Sequence, residues 1–381
     1  MKTLYKGNPK RMLTFLFASI IIYSCNNSQT STTDSSSDST MSTSSKTDTG
    51  HSILKPLGTP PTWAPDMTGP MQVVIEKLIS YGDPAIVSLS APDARKQHSP
   101  ADAVKDVMKE HNIPMPDFKS DTTGKDISVK GGSIHLRIYT PKTGNGPFPI
   151  ILYIHGGGWV IADLDTYDAS VRGLCDGTGA VIISVAYRQA PEFKFPTAHN
   201  DCFAAYEWLL QNASTIKGDP KKVAIAGESA GGNLALTVSM RARDKKIMIP
   251  SHQLLVYPIA GYDFTSESYQ KSDSFKPLNK GLMQWFFQKY LNNSSEGKNP
   301  MIDLVNANLK GLPPTTIIGA EIDPLMSEGK LLSDKLNAAG VKTDYKLYNG
   351  VTHEFFGMAA VIPEGKDAQT FASDQLKNSL K

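Results

Sequence analysis

One serine of this 381-residue chain lies between glycines directly after a short apolar run. The segment KKVAIAGESAGGN, residues 221–233, centres on Ser229. Residues 223–226 are small or β-branched and suit a buried strand, and the following NLALTVSMRAR has helix-compatible spacing. The Gly-x-Ser-x-Gly pattern alone is weak evidence for a nucleophile, because a chain with 30 glycines can contain a glycine-rich loop around a serine by chance. A strand, a sharp turn and a helix are the context in which such a serine acts as a nucleophile.

A second glycine-rich motif follows another apolar run. In ILYIHGGGWV, His155 precedes three glycines whose uncovered N–H groups can approach an oxygen that gains negative charge. A tight turn or a phosphate-binding loop is the alternative interpretation. A phosphate-binding loop would continue with Lys and Ser or Thr, whereas Trp159 and Val160 follow here. Since a serine nucleophile needs donors for the oxyanion, the two motifs favour the same chemistry.

Five segments appear in a fixed order between about residues 126 and 358: HGGGW, YRQAPEFKFPTAHND, GESAGGN, EIDPL and YNGVTHEFF. Together they resemble the bacterial hormone-sensitive-lipase-like esterases, a branch of the α/β-hydrolase fold. The resemblance implies that Ser229 is the nucleophile, Asp323 the triad acid and His353 the general base, in the chain order that this fold requires. The activity that it implies needs no cofactor, and the sequence shows no Cys or His cluster typical of a metal site.

The resemblance also implies an oxyanion hole made by the N–H groups of Gly157, Gly158 and Ala230. Trp159, Phe355 and Phe356 flank the oxyanion loop and the base in sequence, so we expect their bulk to shorten the substrate pocket. This predicts a preference for acyl chains of about two to six carbons. Two neighbours of the triad, Glu228 and Glu354, replace the Asp and Gly that are commonest in the family, which leaves the substrate preference open.

Proximity alone does not select the triad acid, because Glu321, Asp323 and Glu328 all lie near the end of the strand TTIIGA. Glu328 follows Pro324 and is expected to favour the N-terminus of the next helix. Asp323 has the short side chain that suits a fixed hydrogen bond to the imidazole, so it is the predicted acid.

The order of apolar patterns predicts an α/β fold. From residue 126 a hairpin around Gly131 and Gly132 begins a series of strands that alternate with helices, which indicates a mostly parallel central sheet with helices on both faces. Residues 126–381 form the predicted catalytic domain. Residues 61–125 read as helical pieces, and the resemblance implies that they form a helical cap over the site, with a contribution from the insert around LNKGLMQWFFQKYL.

The N-terminus carries targeting signals. Residues 1–24 have a basic start and an apolar stretch too short to span a bilayer, which is typical of a signal peptide. The stretch ends at Cys25 in a context that resembles a bacterial lipobox, where the cysteine is lipidated; ordinary secretory cleavage is the alternative. Residues 25–60 follow as a Ser/Thr-rich tether. We therefore expect an exported, lipid-anchored protein.

Composition excludes one class of partner. Removing residues 1–24 takes away four of the 39 basic residues and none of the 37 acidic ones, which leaves a net charge of −2 and no sign of nucleic-acid binding. The two remaining cysteines, Cys175 and Cys202, are expected to be buried free thiols. The resemblance places their helices on opposite faces of the sheet. Nothing in the sequence indicates an oligomeric state.

The predicted function is that of a serine carboxylesterase that hydrolyses short-chain, small-molecule esters through an acyl-enzyme. A cell-surface deacetylase of acetylated carbohydrate is the alternative within enzymes. A binding protein that kept the fold and lost catalysis is the alternative from another class, and the complete set of triad residues argues against it.

Overall fold

The computed structural model describes residues 54–381, so the predicted signal peptide, Cys25 and most of the tether lie outside the described residues. Eight strands form the sheet: β1 (Ser120–Val129), β2 (Gly132–Pro141), β3 (Phe148–Ile154), β4 (Val181–Ala186), β5 (Gly218–Glu228), β6 (Gln253–Val256), β7 (Thr315–Ile322) and β8 (Thr343–Thr352). The strand order is β1-β2-β4-β3-β5-β6-β7-β8.

The described chain also has the helices α1 (Gly69–Ser80), α2 (Ala91–Ala94), α3 (Pro100–Glu110), α4 (Asp168–Thr178), α5 (Thr197–Asn212), α6 (Ala230–Asp244), α7 (Glu267–Lys271), α8 (Lys280–Tyr290), α9 (Met326–Ala338) and α10 (Pro363–Ser379). Short 3₁₀ turns lie at Ile86–Ser88, Ala213–Ile216, Ser294–Lys298, Leu304–Asn306 and Phe355–Met358. The C-terminal helix α10 was not among the predicted elements.

The sheet is mostly parallel, as predicted. Strands β1 and β2 form an antiparallel hairpin, and β2 also pairs antiparallel with β4. All pairs among β3 to β8 are parallel. The hairpin turn has positive φ at Gly131 and Gly132, the conformation that the sequence predicted there. Parallel order places the carboxyl ends of β5, β7 and β8 at one edge of the sheet, where loops carry function in such folds.

Two hydrophobic clusters pack on the two faces of the sheet. Alternate residues of β3 divide between them: Ile150, Leu152 and Ile154 belong to one cluster, and Ile151 and Tyr153 to the other. A strand covered on both faces reads as a continuous apolar run, which explains the pattern FPIILYI.

The two cysteines of the described chain are buried and free, which confirms the prediction. Cys175 of α4 packs in one hydrophobic cluster and Cys202 of α5 in the other, so the sheet separates the two thiols.

The segment just before α1 differs from its predicted role. Residues 54–60 were assigned to the tether, but Leu54 is buried, and the Gln72 side chain donates hydrogen bonds to the carbonyls of Gly58 and Thr59. These contacts attach the segment to α1. At the other end of the predicted cap segment, β1 begins at Ser120 rather than 126. Within residues 54–381, no helix has the length and apolar character needed to cross a membrane.

Candidate active site

Ser229 occupies a sharp turn between β5 and α6. Its backbone has φ 56° and ψ −119°, a conformation that non-glycine residues rarely adopt and that marks strained functional turns. A Cβ atom on Gly227 would clash with the backbone of Gly231, so the chain closes this tightly only because both flanking positions lack side chains. The turn places the serine hydroxyl at the carboxyl edge of the sheet.

A continuous hydrogen-bonded chain joins the serine to a histidine and an aspartate. His353 Nε2 lies 2.9 Å from Ser229 Oγ, and His353 Nδ1 lies 2.6 Å from Asp323 Oδ2. Asp323 follows β7 and His353 follows β8, so parallel neighbours of β5 deliver both groups to the same edge. All three side chains are buried from bulk solvent. The arrangement can move a proton from the hydroxyl to the imidazole.

The three acids near the end of β7 have different partners. Asp323 Oδ1 accepts the Leu325 N–H at 2.8 Å, which fixes the carboxylate with its other oxygen on the imidazole. Glu321 accepts the Gly350 N–H at 2.7 Å and lies away from His353. The structure therefore brings only Asp323, of these three, to the histidine.

Glu328 lies in the first turn of α9, as predicted, and it also has a partner elsewhere in the fold. Its carboxylate accepts the Ala260 N–H at 2.7 Å. Burial, against which the Ala260 and Gly261 N–H groups act, raises its pKa to about 8. Local sequence indicated only that Glu328 follows Pro324, and the position of the Ala260 loop decided its partner.

The charge on His353 is set by opposing effects. Burial by itself lowers the pKa of an imidazole, but the Asp323 carboxylate, by charge and by hydrogen bond, outweighs burial and raises the pKa above its ordinary value of 6.5. Glu354 and Glu228 add to this effect. The site thus favours the imidazolium that forms when the serine proton is taken.

Three backbone N–H groups near the serine belong to the glycine motif, which lines the same cavity as Ser229, and to Ala230, the residue that follows Ser229. Gly157 and Gly158 have φ of 88° and 58°, and Ala230 is the first residue of α6. Within residues 54–381, none of these three N–H groups donates a hydrogen bond. His155 shapes the loop from behind: burial lowers its pKa to about 4, and its neutral ring stacks on Tyr187 at 4.3 Å.

A cavity of about 490 Å³ lies over Ser229. One wall is apolar and comes from the insert, with Leu278, Leu282 and Phe286 in and before α8. Another wall comes from the segment between α2 and α3, where the Arg95 guanidinium donates to the carbonyls of Val160 and Ala190 and so attaches the helical pieces to the body. The volume is typical of a small-molecule site.

Comparison with known proteins agrees with this geometry. Residues 151–357 match the model of a family described as having the alpha/beta hydrolase fold. A carboxylesterase of Mycobacterium tuberculosis is 34% identical over 251 residues, which are 65% of this chain and 79% of that protein. The chain belongs to the hormone-sensitive-lipase-like esterases. It is a carboxylic-ester hydrolase.

Other relatives of this esterase extend over more of the chain. An ethyl acetate hydrolase of Pseudomonas putida is 28% identical over 298 residues, 77% of this chain and 92% of that protein. The crystal structure of a thermostable esterase from Pseudomonas putida has a TM-score of 0.76 and 31% identity, and covers 83% of this chain and 98% of its own. An esterase from Pyrobaculum calidifontis has a TM-score of 0.74 and 31% identity, over 82% and 98% of the two chains.

The three aromatic residues expected to line the pocket of the esterase do not line it. Trp159 has φ 61°, which turns its ring into the body, where it stacks on Tyr290 at 4.6 Å. Phe355 and Phe356 begin a 3₁₀ turn and are fully buried in the hydrophobic cluster of Tyr257. The prediction that these rings line the pocket is wrong because the side chains of adjacent residues point in different directions at a tight turn. Phe286 supplies the aromatic wall instead.

Two carboxyl groups near Ser229 and His353 were noted in the sequence only as departures from the family. Glu228 is fully buried and accepts hydrogen bonds from the hydroxyls of Tyr153 and Tyr257. Burial first, and then the charge of Glu354, raises the pKa of Glu228 to about 7. Glu354 lines the cavity beside His353. No run of sequence links these residues, because the tyrosines come from β3 and from the end of β6.

No cofactor or metal was predicted for the esterase. Among the residues that the structure describes, no cluster of three or more His, Cys, Asp or Glu has the arrangement needed to hold a metal ion.

Proposed function

We propose that the protein hydrolyses short-chain carboxylic esters through a Ser229–His353–Asp323 triad. One observation carries the proposal: the three side chains form an unbroken hydrogen-bonded chain of 2.9 and 2.6 Å at the floor of the cavity. In the first step, His353 Nε2 takes the Ser229 proton while Oγ attacks the ester carbonyl carbon. Asp323 holds the Nδ1 proton in place and stabilises the imidazolium.

The carbonyl oxygen becomes an oxyanion at this step. The N–H groups of Gly157, Gly158 and Ala230 have no partner within the described chain; the two glycines line the cavity with Ser229 and Ala230 follows it, so these are the groups that we propose receive the charge. Donors that are already in place do not have to reorganise when the charge develops, and this is what lowers the barrier. The start of α6 at Ala230 adds the positive end of its helix dipole.

The reaction then proceeds through an acyl-enzyme. The imidazolium of His353 gives its Nε2 proton to the alcohol oxygen as the C–O bond breaks, and the acyl group stays on Ser229 Oγ. Water enters, His353 takes one of its protons, and the hydroxide attacks the acyl carbon. Collapse of the second tetrahedral intermediate returns the proton to Ser229 and releases the acid.

The short-chain preference is supported by the shape of the cavity near the glycine motif. A Cβ atom on Gly158 would clash with the Phe286 ring, so this ring lies directly against the loop that holds the carbonyl oxygen. A long acyl chain would have to displace it. The relative named an ethyl acetate hydrolase supports the same preference.

We also propose that the protein is located at the cell envelope. This location is supported by the basic and apolar residues 1–24, by Cys25 in a lipobox-like context and by the Ser/Thr-rich residues that follow. A lipidated cysteine followed by a flexible tether would hold the folded body off a membrane surface.

The triad is tested with Ser229→Ala. We expect hydrolysis of 4-nitrophenyl acetate to fall by at least about a thousandfold while the circular dichroism spectrum is retained, because triad groups act as a unit. Ser80→Ala is the matched control, since the Ser80 hydroxyl is exposed and bonds only the Lys77 carbonyl of its own helix. A Ser229→Ala enzyme that keeps a tenth of the wild-type turnover would refute the assignment.

A further inference from the structure

Glu354 has an unusual backbone for its residue type. Its φ is 73°, in the left-handed region that glycine enters freely and that a glutamate enters at a cost. A strained residue persists where its surroundings fix it, and such residues concentrate at functional sites. Glycine at this position would relieve the strain. We therefore expect an interaction that the glutamate side chain makes and glycine could not.

The Glu354 carboxylate lies in the cavity beside the imidazole nitrogen that protonates the alcohol in the proposed reaction. Its Oε1 accepts the Tyr167 hydroxyl at 2.6 Å and lies 3.8 Å from His353 Nε2, the atom that protonates the departing oxygen. Its Oε2 has no hydrogen-bond partner within residues 54–381. The side chain is 19% accessible and lines the cavity. One carboxylate oxygen is therefore fixed, and the other is available to a ligand.

Three more residues of the cavity lining have acceptor oxygens without a hydrogen-bond partner in the described chain. Asp163 uses Oδ1 for its bonds to Thr166 and to the Asp165 N–H, which leaves Oδ2 without a partner in the described chain. Gln189 donates its amide N–H groups to two backbone carbonyls, so its own oxygen is unused. The Gln97 Oε1 atom is buried with no partner. Acceptors such as these are satisfied by a ligand that brings donors.

Three basic side chains of the cavity wall do not cover these acceptors. Each bonds a carboxylate outside this set: Arg95 bonds Glu192, Lys105 bonds Asp102, and the His98 ring bonds Asp83. A ligand hydroxyl can both donate to an acceptor and accept from solvent, so a hydroxylated ligand suits this wall better than an alkyl group does.

We propose that the alcohol part of the natural ester carries free hydroxyl groups, as in a partly acylated polyol or sugar, and that Glu354 accepts a hydrogen bond from the hydroxyl next to the ester. This inference rests on the proposed function, because it needs His353 to mark the position of the leaving oxygen. Glu354 is then a specificity-determining residue, and the polar wall of the cavity binds the remaining hydroxyls.

The test compares two esters of one acid and similar shape. Glycerol 1-acetate has two free hydroxyls, and 2-methylbutyl acetate has carbon in their place. We expect wild-type kcat/KM to favour glycerol 1-acetate by about tenfold, since a site built to bond a hydroxyl rejects the analogue that lacks it. In Glu354→Gln and in Glu354→Gly, which suits φ 73°, this ratio should fall several-fold. Glu321→Gln is the matched control: Glu321 bonds Gly350 outside the cavity, so the ratio should not change.

The outcomes separate the two proposals. If the wild-type enzyme hydrolyses neither ester nor 4-nitrophenyl acetate, the proposed function fails and this inference fails with it. If it hydrolyses 4-nitrophenyl acetate but the ratio is one or less, or is the same in the Glu354 variants, only this inference is overturned. Acetylcholine and its neutral analogue 3,3-dimethylbutyl acetate form a second pair. A preference for acetylcholine larger than the hydroxyl preference would mean that Glu354 recognises a cation, which also overturns the inference.

Discussion

Replacing Asp323 by Asn changes one oxygen for an NH₂ group, and the structure indicates which way the amide will turn. The Leu325 N–H donates to Asp323 Oδ1 and needs an oxygen there. If the oxygen of the new amide keeps that bond, the NH₂ group faces His353 Nδ1. Nδ1 must then be the unprotonated nitrogen, so Nε2 carries the proton and cannot take one from Ser229.

The size of the effect follows from the same geometry. Two unit charges 2.6 Å apart, as Asp323 Oδ2 and His353 Nδ1 become in the imidazolium, interact by about 6 kcal/mol at an effective dielectric constant near 20. At about 1.4 kcal/mol for each factor of ten, that is on the order of ten-thousandfold in rate. The corresponding change in a serine protease costs about the same. We therefore expect at least about a hundredfold loss of kcat in Asp323→Asn, with ten-thousandfold as the central value.

The assay compares Asp323→Asn with Glu321→Gln and Glu328→Gln on 4-nitrophenyl acetate, with the folded fraction checked by circular dichroism. Glutamine keeps the acceptor oxygen that Gly350 and Ala260 need, so both controls should lose less than about tenfold. If Asp323→Asn is the mildest of the three variants, the acid has been wrongly assigned and the tautomer argument with it.

Three further predictions concern pH, acyl length and the N-terminus. Asp323 holds the pKa of His353 above 6.5 against the effect of burial, so the neutral base is lost as pH falls through that raised value. The acid limb of the kcat/KM profile should therefore have its midpoint above 6.5, and a midpoint below 6 would contradict this account. Among 4-nitrophenyl esters, turnover should be fastest for acyl chains of about two to six carbons, and faster hydrolysis of the palmitate would refute this. Cys25→Ser should move activity from the membrane fraction to a soluble or unprocessed form, and unchanged fractionation would count against the lipobox interpretation.

The strands and the hairpin were predicted from the sequence because their residue patterns depend on burial and turn conformation at neighbouring positions. The runs FPIILYI and KKVAIAGE read as buried strands because both faces of the sheet are covered, and both form the predicted strands. The hairpin followed from two glycines that tolerate positive φ. The helix α10 was not predicted. In the structure it packs against α4, which is far away in the chain.

Some residues at the site were predicted correctly from the sequence and others were not. Ser229, Asp323 and His353 were predicted from the family resemblance, and the structure brings them together because each follows a parallel strand whose carboxyl end lies at one edge. The pocket residues Trp159 and Phe355 were wrong because positive φ and a 3₁₀ turn direct their rings into the core. Side-chain direction at a tight turn depends on backbone angles that composition does not encode.

The sequence by itself determined the order of the strands and of the helices between them, and its motifs determined the family and the chain positions of the groups that meet at Ser229. The strands and helices follow from the periodicity of apolar residues and from turn chemistry, which are local properties, whereas the family and the site positions follow from the resemblance of the motifs. Only the tertiary structure decided which side chains line the cavity, that Glu328 bonds the Ala260 loop, and that Glu354 faces the site with one oxygen free. These are contacts between segments far apart in the chain, and burial and hydrogen bonding across such distances are fixed only when the sheet and the helices around it have packed.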